Sequence, residues 1–199
     1  MRARVLTASI VVTLSVAAGG AQSWKNVAPE SFRINTQITD GPGGAGGVAS
    51  AMEFRVERYT SDAEHEVLVT ALKSGGYDAF VQALHKAPKV GVLQSGKRSL
   101  DVRWARFQPA GDGGRRIIAV TDGPVYFFGA GAVDAKPTKG YDIGVIEFTV
   151  DSVGLGRGSM AGAARVKPGG PSGVEVDDYS GKRIELTTVS RNVSNPRQP

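Results

Sequence analysis

Several stretches of this 199-residue chain place chemically capable residues at suggestive spacings. Gly91 to Lys97, GVLQSGK, has the glycine and lysine spacing of a phosphate-binding loop. The next position is Arg98, where that motif needs a hydroxyl for magnesium. The residues after it alternate as a strand, whereas the motif requires a helix whose N-terminus faces the phosphates, so a β-turn is the simpler reading. Gly154, Gly156 and Gly158 form half of a dinucleotide fingerprint without its full spacing or its helix, and read as a hairpin turn. His65-Glu66 begins like the helix of a zinc peptidase, but Val69 stands where the second histidine belongs. His65 and His85 are therefore expected to face solvent or to bond locally. No Gly-x-Ser-x-Gly elbow exists. Asp101, Asp122, Asp142, Asp177 and Asp178 could supply a glycosidase pair, and Asp177-Asp178 part of a calcium site, although that needs several converging oxygens. Solvated turns account for them more simply. The reading names no catalytic residue, no metal and no cofactor.

The remaining candidates are aromatic. Trp104, Phe107, Tyr126, Phe127 and Phe128 crowd one region, and consecutive Tyr126-Phe127-Phe128 must point at least one ring away from a single core face. In a barrel that ring would line a cavity, and these five are the candidate ligand-binding residues. They sit around a central hairpin, Leu100 to Phe128. Leu100, Val102 and Trp104 alternate with polar or small residues, as on a half-buried strand. Phe107 breaks the phase, which predicts a bulge near Ala105 to Arg106. Pro109 to Gly114 supplies the turn, and Arg115 to Thr121 the return arm.

Around this hairpin the chain reads as strands and one helical region. Phe32, Ile34, Thr36 and Ile38 mark a first strand, and Met52, Phe54 and Val56 a second, with a glycine-rich loop from Asp40 to Gly47 between them. Ser61 and Glu64 fit a capping box, and Val67, Leu68, Ala71 and Leu72 follow helical spacing until Gly75-Gly76. Tyr77, Phe80, Val81 and Leu84 then form the stripe of a second helix that ends before Pro88. Beyond the central hairpin, Ile146, Phe148 and Val150 mark one more strand. Asp151 to Gly158 reads as a turn, Ser159 to Lys167 as a weak strand, and Val174 to Asp178 with Arg183 to Ser190 as a closing hairpin.

Composition restricts the function classes. The hydrophobic fraction of 41% and charged fraction of 22% allow an ordinary core, and 27 glycines, about twice the usual share, suit many tight turns. Arg2 and Arg4, the apolar run Val5 to Ala18 and the small residues Gly19 to Ala21 make a secretory signal peptide, with cleavage expected between Ala21 and Gln22. The apolar run is shorter than the ~20 residues of a spanning helix, so no stable membrane insertion is expected once the leader is gone. Cleavage takes 24 basic residues to 22 against 19 acidic ones, a net charge of +3 without like-charge blocks, which gives nucleic-acid binding little support. There is no cysteine for a disulfide or for lipid attachment after the leader, so the expected location is the periplasm or the extracellular medium.

Gly114 to Phe128, GRRIIAVTDGPVYFF, together with Leu72 to Gly76 and Lys89 to Gly91, resembles segments of small exported bacterial proteins of unknown function. The likeness spans about Glu53 to Arg191 and departs at Gly123, where a charged residue would precede the proline. It implies an exported β-rich domain and assigns neither an activity nor catalytic residues.

The expected organisation is a leader over 1–21, a lead-in segment over 22–30, one β-rich domain over 31–191 and a tail over 192–199. The expected fold is α+β, mainly antiparallel, a barrel-like or sandwich sheet with one inserted helix pair. The expected function is that of a non-enzymatic carrier or binding module for an apolar small molecule or an envelope partner. The alternatives are a carboxylate-dependent hydrolase of envelope polymers and a scaffold that pairs with another protein through a sheet edge.

Overall fold

The computed structural model describes residues 28–38, 48–125, 138–181 and 183–192. The expected leader, the Asp40–Gly47 loop, Tyr126-Phe127-Phe128 and nearly all of the C-terminal tail lie outside the described residues.

The architecture is an antiparallel β-barrel with one helix. In chain order the elements are β1 (Glu30–Ile38), β2 (Val48–Val56), α1 (Asp62–Lys86), β3 (Gly91–Ser95), β4 (Arg98–Pro109), β5 (Arg115–Thr121), β6 (Ile143–Val150), β7 (Leu155–Pro168), β8 (Val174–Tyr179) and β9 (Arg183–Asn192). The first seven strands pair as a meander, β7 pairs with β9, and β9 returns to β1, closing a ring of eight. Closure leaves those eight without an open edge, and a barrel of that number is just wide enough for side chains to fill.

Side chains do fill it. Phe32, Phe54 and Phe148 meet at the centre with ring centroids 5.0 to 6.1 Å apart, in stacked and edge-on contacts. Ile34, Leu93, Ile117, Ile146 and Leu186 pack around them, each no more than 1% exposed. The alternation in β1 and β2 follows directly, with Phe32, Ile34, Met52 and Phe54 turned inward and Arg33, Asn35, Glu53 and Arg55 turned outward. On β5, by contrast, Ile117 and Ala119 point inward while Ile118 and Val120 lie under α1. That strand reads as a continuous apolar run because both of its faces are covered.

Three expectations are corrected, and the expected helix pair is met in part: one helix, α1, runs over both predicted stretches, and its backbone departs from helical geometry at Gly76 (φ 69°, ψ −160°). A straight helix would put Glu64 and Ala83 about 28 Å apart at 1.5 Å per residue, yet both border one groove, so the arms fold back at Gly76. That combination of angles is open essentially only to glycine.

The bulge in β4 lies between Val102 and Trp104, earlier than expected. Val102 and Ala105 both face the barrel interior, whereas Trp104 faces α1. Gly156 and Gly158 are strand residues, not a turn. A β-carbon at Gly156 would lie 1.8 Å from the Thr149 carbonyl oxygen, and one at Gly158 2.1 Å from that of Glu147, so β6 and β7 approach too closely there for any side chain. Finally, β8 and β9 do not form a hairpin. Both run antiparallel to β7, end to end, with Tyr179 opposite Ala164 and Arg183 opposite Ala161. The Ser180 amide donates to the Ala163 carbonyl between them at 2.8 Å.

Candidate functional site

The helix is held on the outer face of the barrel at three places. At its start the Ser61 and Glu64 capping box forms as expected, and Arg58 grips the Glu64 carboxylate with two bonds of 2.8 Å. That guanidinium is the main reason the Glu64 carboxyl falls to about 2. Arg106 of β4 bonds Asp62 at 2.7 Å, and the Trp104 indole N–H donates to His65 Nδ1 at 3.2 Å. An indole nitrogen only donates, so His65 must offer a lone pair and be neutral at Nδ1. Burial, then the nearby Arg106 charge, lowers the pKa of His65 accordingly.

At the bend, Tyr77 donates to the Ala164 carbonyl at 3.0 Å and accepts from the Asp142 amide at 2.7 Å, under the Arg165 guanidinium 4.6 Å from its ring. Burial pushes its phenol up to about 12. At the end of α1, Arg103 of β4 donates to the Ala87 carbonyl at 2.9 Å, and His85 Nε2 lies 3.1 Å from the Asp122 carbonyl oxygen. Neither bond is local, since each joins the helix to a barrel residue 37 or 39 positions away in the chain. Leu68, Leu72, Phe80 and Leu84, each 0–1% exposed, pack against Trp104, Ile118, Val120 and Val145. Each contributes about 1.5–3 kcal/mol by burial.

Between the arms of α1, on the side away from the barrel, lies a groove of about 400 Å³. Val67, Leu68, Ala79, Ala83 and Pro88 make its apolar surface, with Glu64, Gln82 and Lys86 at its margin. Val67 is 64% exposed, so this wall is open to solvent. Sequence reasoning placed Val67 on the buried stripe with Leu68. In the structure it lies at the open wall of the groove, not on the barrel-facing stripe of Leu68 and Leu72.

The aromatic candidates are not brought together. Trp104 is fully buried beneath α1. Phe107, half-buried on the opposite face of β4, packs edge-on against Tyr59 at 4.7 Å. Beside it is a buried cluster that sequence reasoning missed: Arg115 makes a two-pronged pair with Glu30 at 2.8 and 2.9 Å, and Tyr59 donates to Glu30 at 2.5 Å. Burial foremost, then the Glu30 charge, raises the Tyr59 phenol well above its usual range. No local pattern announces this cluster, because Glu30 and Arg115 are 85 residues apart.

Four of the five carboxylates singled out in the sequence have side-chain partners. Asp101 pairs with Lys89 at 2.9 Å, and Arg103 lies between Asp101 at 3.8 Å and Asp122 at 3.2 Å. Asp142 is engaged through its backbone amide, which donates to Tyr77. Asp177 pairs with Lys167 at 3.3 Å, and Asp178 accepts from the Tyr141 hydroxyl at 2.5 Å. Among the described residues no group of three or more histidine, aspartate and glutamate side chains is arranged to hold a metal. Gly91 to Lys97, the stretch with phosphate-loop spacing, is β3 and its turn into β4, with Ser95 opposite Arg98. Among the described residues no helix is long and apolar enough to cross a membrane. Comparison with known protein families, with curated proteins and with solved structures finds no match to this chain.

Proposed function

We propose that this is an exported, non-enzymatic binding protein that takes its ligand in the groove between the arms of α1, outside the barrel. The observation that carries the reading is where the apolar concavity lies. The barrel centre is occupied by Phe32, Phe54 and Phe148, whereas the groove presents Val67, Ala79, Ala83 and Pro88 to solvent at a volume in the range of ligand sites. Its chemistry suits an apolar small molecule with an acidic group, whose body covers Val67 and Ala83 and whose charge meets Lys86 at the margin. Export is read from the basic, apolar and small-residue order of the first 21 residues, and a periplasmic or extracellular location is part of that reading.

The test uses the chain from Gln22, exported from a bacterial periplasm, and two readouts. Native mass spectrometry should show bound mass that disappears on denaturation. The apolar anion 8-anilinonaphthalene-1-sulfonate should fluoresce on binding to the parent and lose that signal in Val67→Glu, which places a charge on the groove wall without touching the barrel. An unchanged signal in Val67→Glu would reject the groove.

A further inference from the structure

The first arm of α1, residues 62–75, is fastened to β4 by a bond that only one protonation state of His65 can make. Trp104 is fully buried, and its indole N–H donates to His65 Nδ1 at 3.2 Å. The two rings lie within 23° of each other with centroids 5.9 Å apart, so the donor meets the imidazole at its edge, where the nitrogen lone pair lies. His65 must therefore carry its single proton on Nε2. The turn between β7 and β8 closes on the same ring: a β-carbon at Gly173 would lie 3.7 Å from His65 Cε1 and 3.1 Å from Val69.

The charged groups around the ring are few. From α1 they are Asp62, Glu66 and Lys73, and from β4 Arg106. Asp62 is held by Arg106 at 2.7 Å, and Glu66 accepts from the Thr70 hydroxyl at 3.4 Å. Residues 169–173 of the β7–β8 turn, GGPSG, carry no ionisable side chain. Among the described residues His65 Nδ1 is the one acceptor of the Trp104 N–H. Once a proton occupies Nδ1, two donors face each other and a buried N–H loses its acceptor. Burial, then the Arg106 charge, holds the ring neutral until the solution is acidic.

This latch stands at the root of one wall of the α1 groove. Glu64, Val67 and Leu68 of the first arm form that wall, whereas Ala79 and Ala83 of the second arm form the other. The second arm has its own anchors, Tyr77 on the Ala164 carbonyl and Arg103 on the Ala87 carbonyl, and Gly76 is the break between the two arms. We propose that protonation of His65 frees the first arm from Trp104 and lets the wall bearing Val67 move away from Ala79 and Ala83, so that the groove gives up its apolar anion in acid. A ligand that touches both walls binds the latched arrangement more tightly, which is the differential affinity that a switch requires. The ligand half of this statement rests on the groove being the binding site. The latch itself does not.

The test reads latch and groove separately, on the chain from Gln22. With Trp24→Phe, Trp104 is the one indole left. Its N–H resonance in a proton–nitrogen NMR spectrum should shift with a single midpoint under about 6.5. First-arm amides should also gain exchange in acid, relative to their intrinsic rates, more than second-arm amides do. Affinity for 8-anilinonaphthalene-1-sulfonate, whose sulfonate stays charged throughout, should fall at least about fivefold between about pH 7.5 and about pH 4.5, the scale of one lost hydrogen bond. His65→Asn, whose amide oxygen stands near Nδ1 and accepts at every pH, should keep the neutral-pH affinity in acid. His65→Ala should bind weakly at both. His85→Gln should retain the parent's pH response, because His85 faces the Asp122 carbonyl at the other end of the helix. A pH-independent Trp104 resonance, or equal exchange in the two arms, would overturn the latch whether or not the probe binds. An affinity that holds in acid, or that falls as far in His65→Asn as in the parent, would overturn its link to the groove. No binding at neutral pH would reject the groove and with it the ligand half, while the latch is still judged by its resonance and exchange.

Discussion

Arg115→Met is the most informative perturbation of the barrel itself. Both side chains of the Glu30–Arg115 pair are 4% exposed, and the two hydrogen bonds between them are 2.8 and 2.9 Å long. Removing the guanidinium strands a buried carboxylate with only the Tyr59 hydroxyl for company, and breaking a buried pair in this way costs about 3–5 kcal/mol. For a domain of this size that corresponds to a fall in Tm of roughly 6–20 °C, at ~2–4 °C per kcal/mol. Glu30→Gln, which keeps the shape, combined with Arg115→Met should recover most of the loss, because replacing both charges by groups of similar volume is often neutral or better. The assay is urea unfolding of the four proteins, monitored by Trp104 fluorescence and extrapolated linearly. Trp104 is fully buried, so its emission should report loss of tertiary packing. An Arg115→Met protein within about 1 kcal/mol of the parent, or a double variant that loses the sum of the two singles, would refute the claim that this pair is desolvated and coupled.

Three further outcomes are expected. The Glu64 carboxyl, lowered to about 2 chiefly by Arg58, contributes stability that is fully present above its unfolded pKa and lost as pH falls from about 4.5 toward 2. Glu64→Gln should flatten that limb of the stability profile and, by removing the capping box and a partly exposed ion pair, cost about 1 kcal/mol at neutral pH. Gly76→Ala should destabilise by roughly 1–3 kcal/mol, since alanine cannot adopt the backbone angles of the bend without strain, and denaturation will measure it. The neutral state of His65 is favoured in the fold, so its contribution is present at neutral pH and lost as pH falls through about 6.5 and below. In a Trp24→Phe background, Trp104 emission should follow the same pH change with a midpoint under 6.5, and His65→Gln should abolish it.

What was legible in the sequence was local. The two-residue period of β1 and β2, the Ser61–Glu64 cap and the glycine at the helix bend are consequences of backbone geometry within a few residues, and each stands where expected. The β-rich, mainly antiparallel class follows from them. What failed depended on partners distant in the chain. Trp104 seemed to continue the face of Val102 until the bulge in β4 turned it under α1, a shift fixed by pairing with β5. Gly156 and Gly158 resembled a turn because glycine spacing does not reveal whether a neighbouring strand approaches within a β-carbon's reach.

By itself, the sequence determined the strand alternation, the helix start and bend, the absence of cysteine chemistry and the expectation of export. Only the tertiary structure decided that β9 closes the ring on β1, that aromatic rings fill the interior, and that Glu30 meets Arg115. It also turned the apolar groove outward between the arms of α1 and set His65 against the Trp104 indole. The physical reason is that periodicity reports which face of an element is apolar. What covers that face is set by contacts between segments tens to more than a hundred residues apart, which no local pattern encodes.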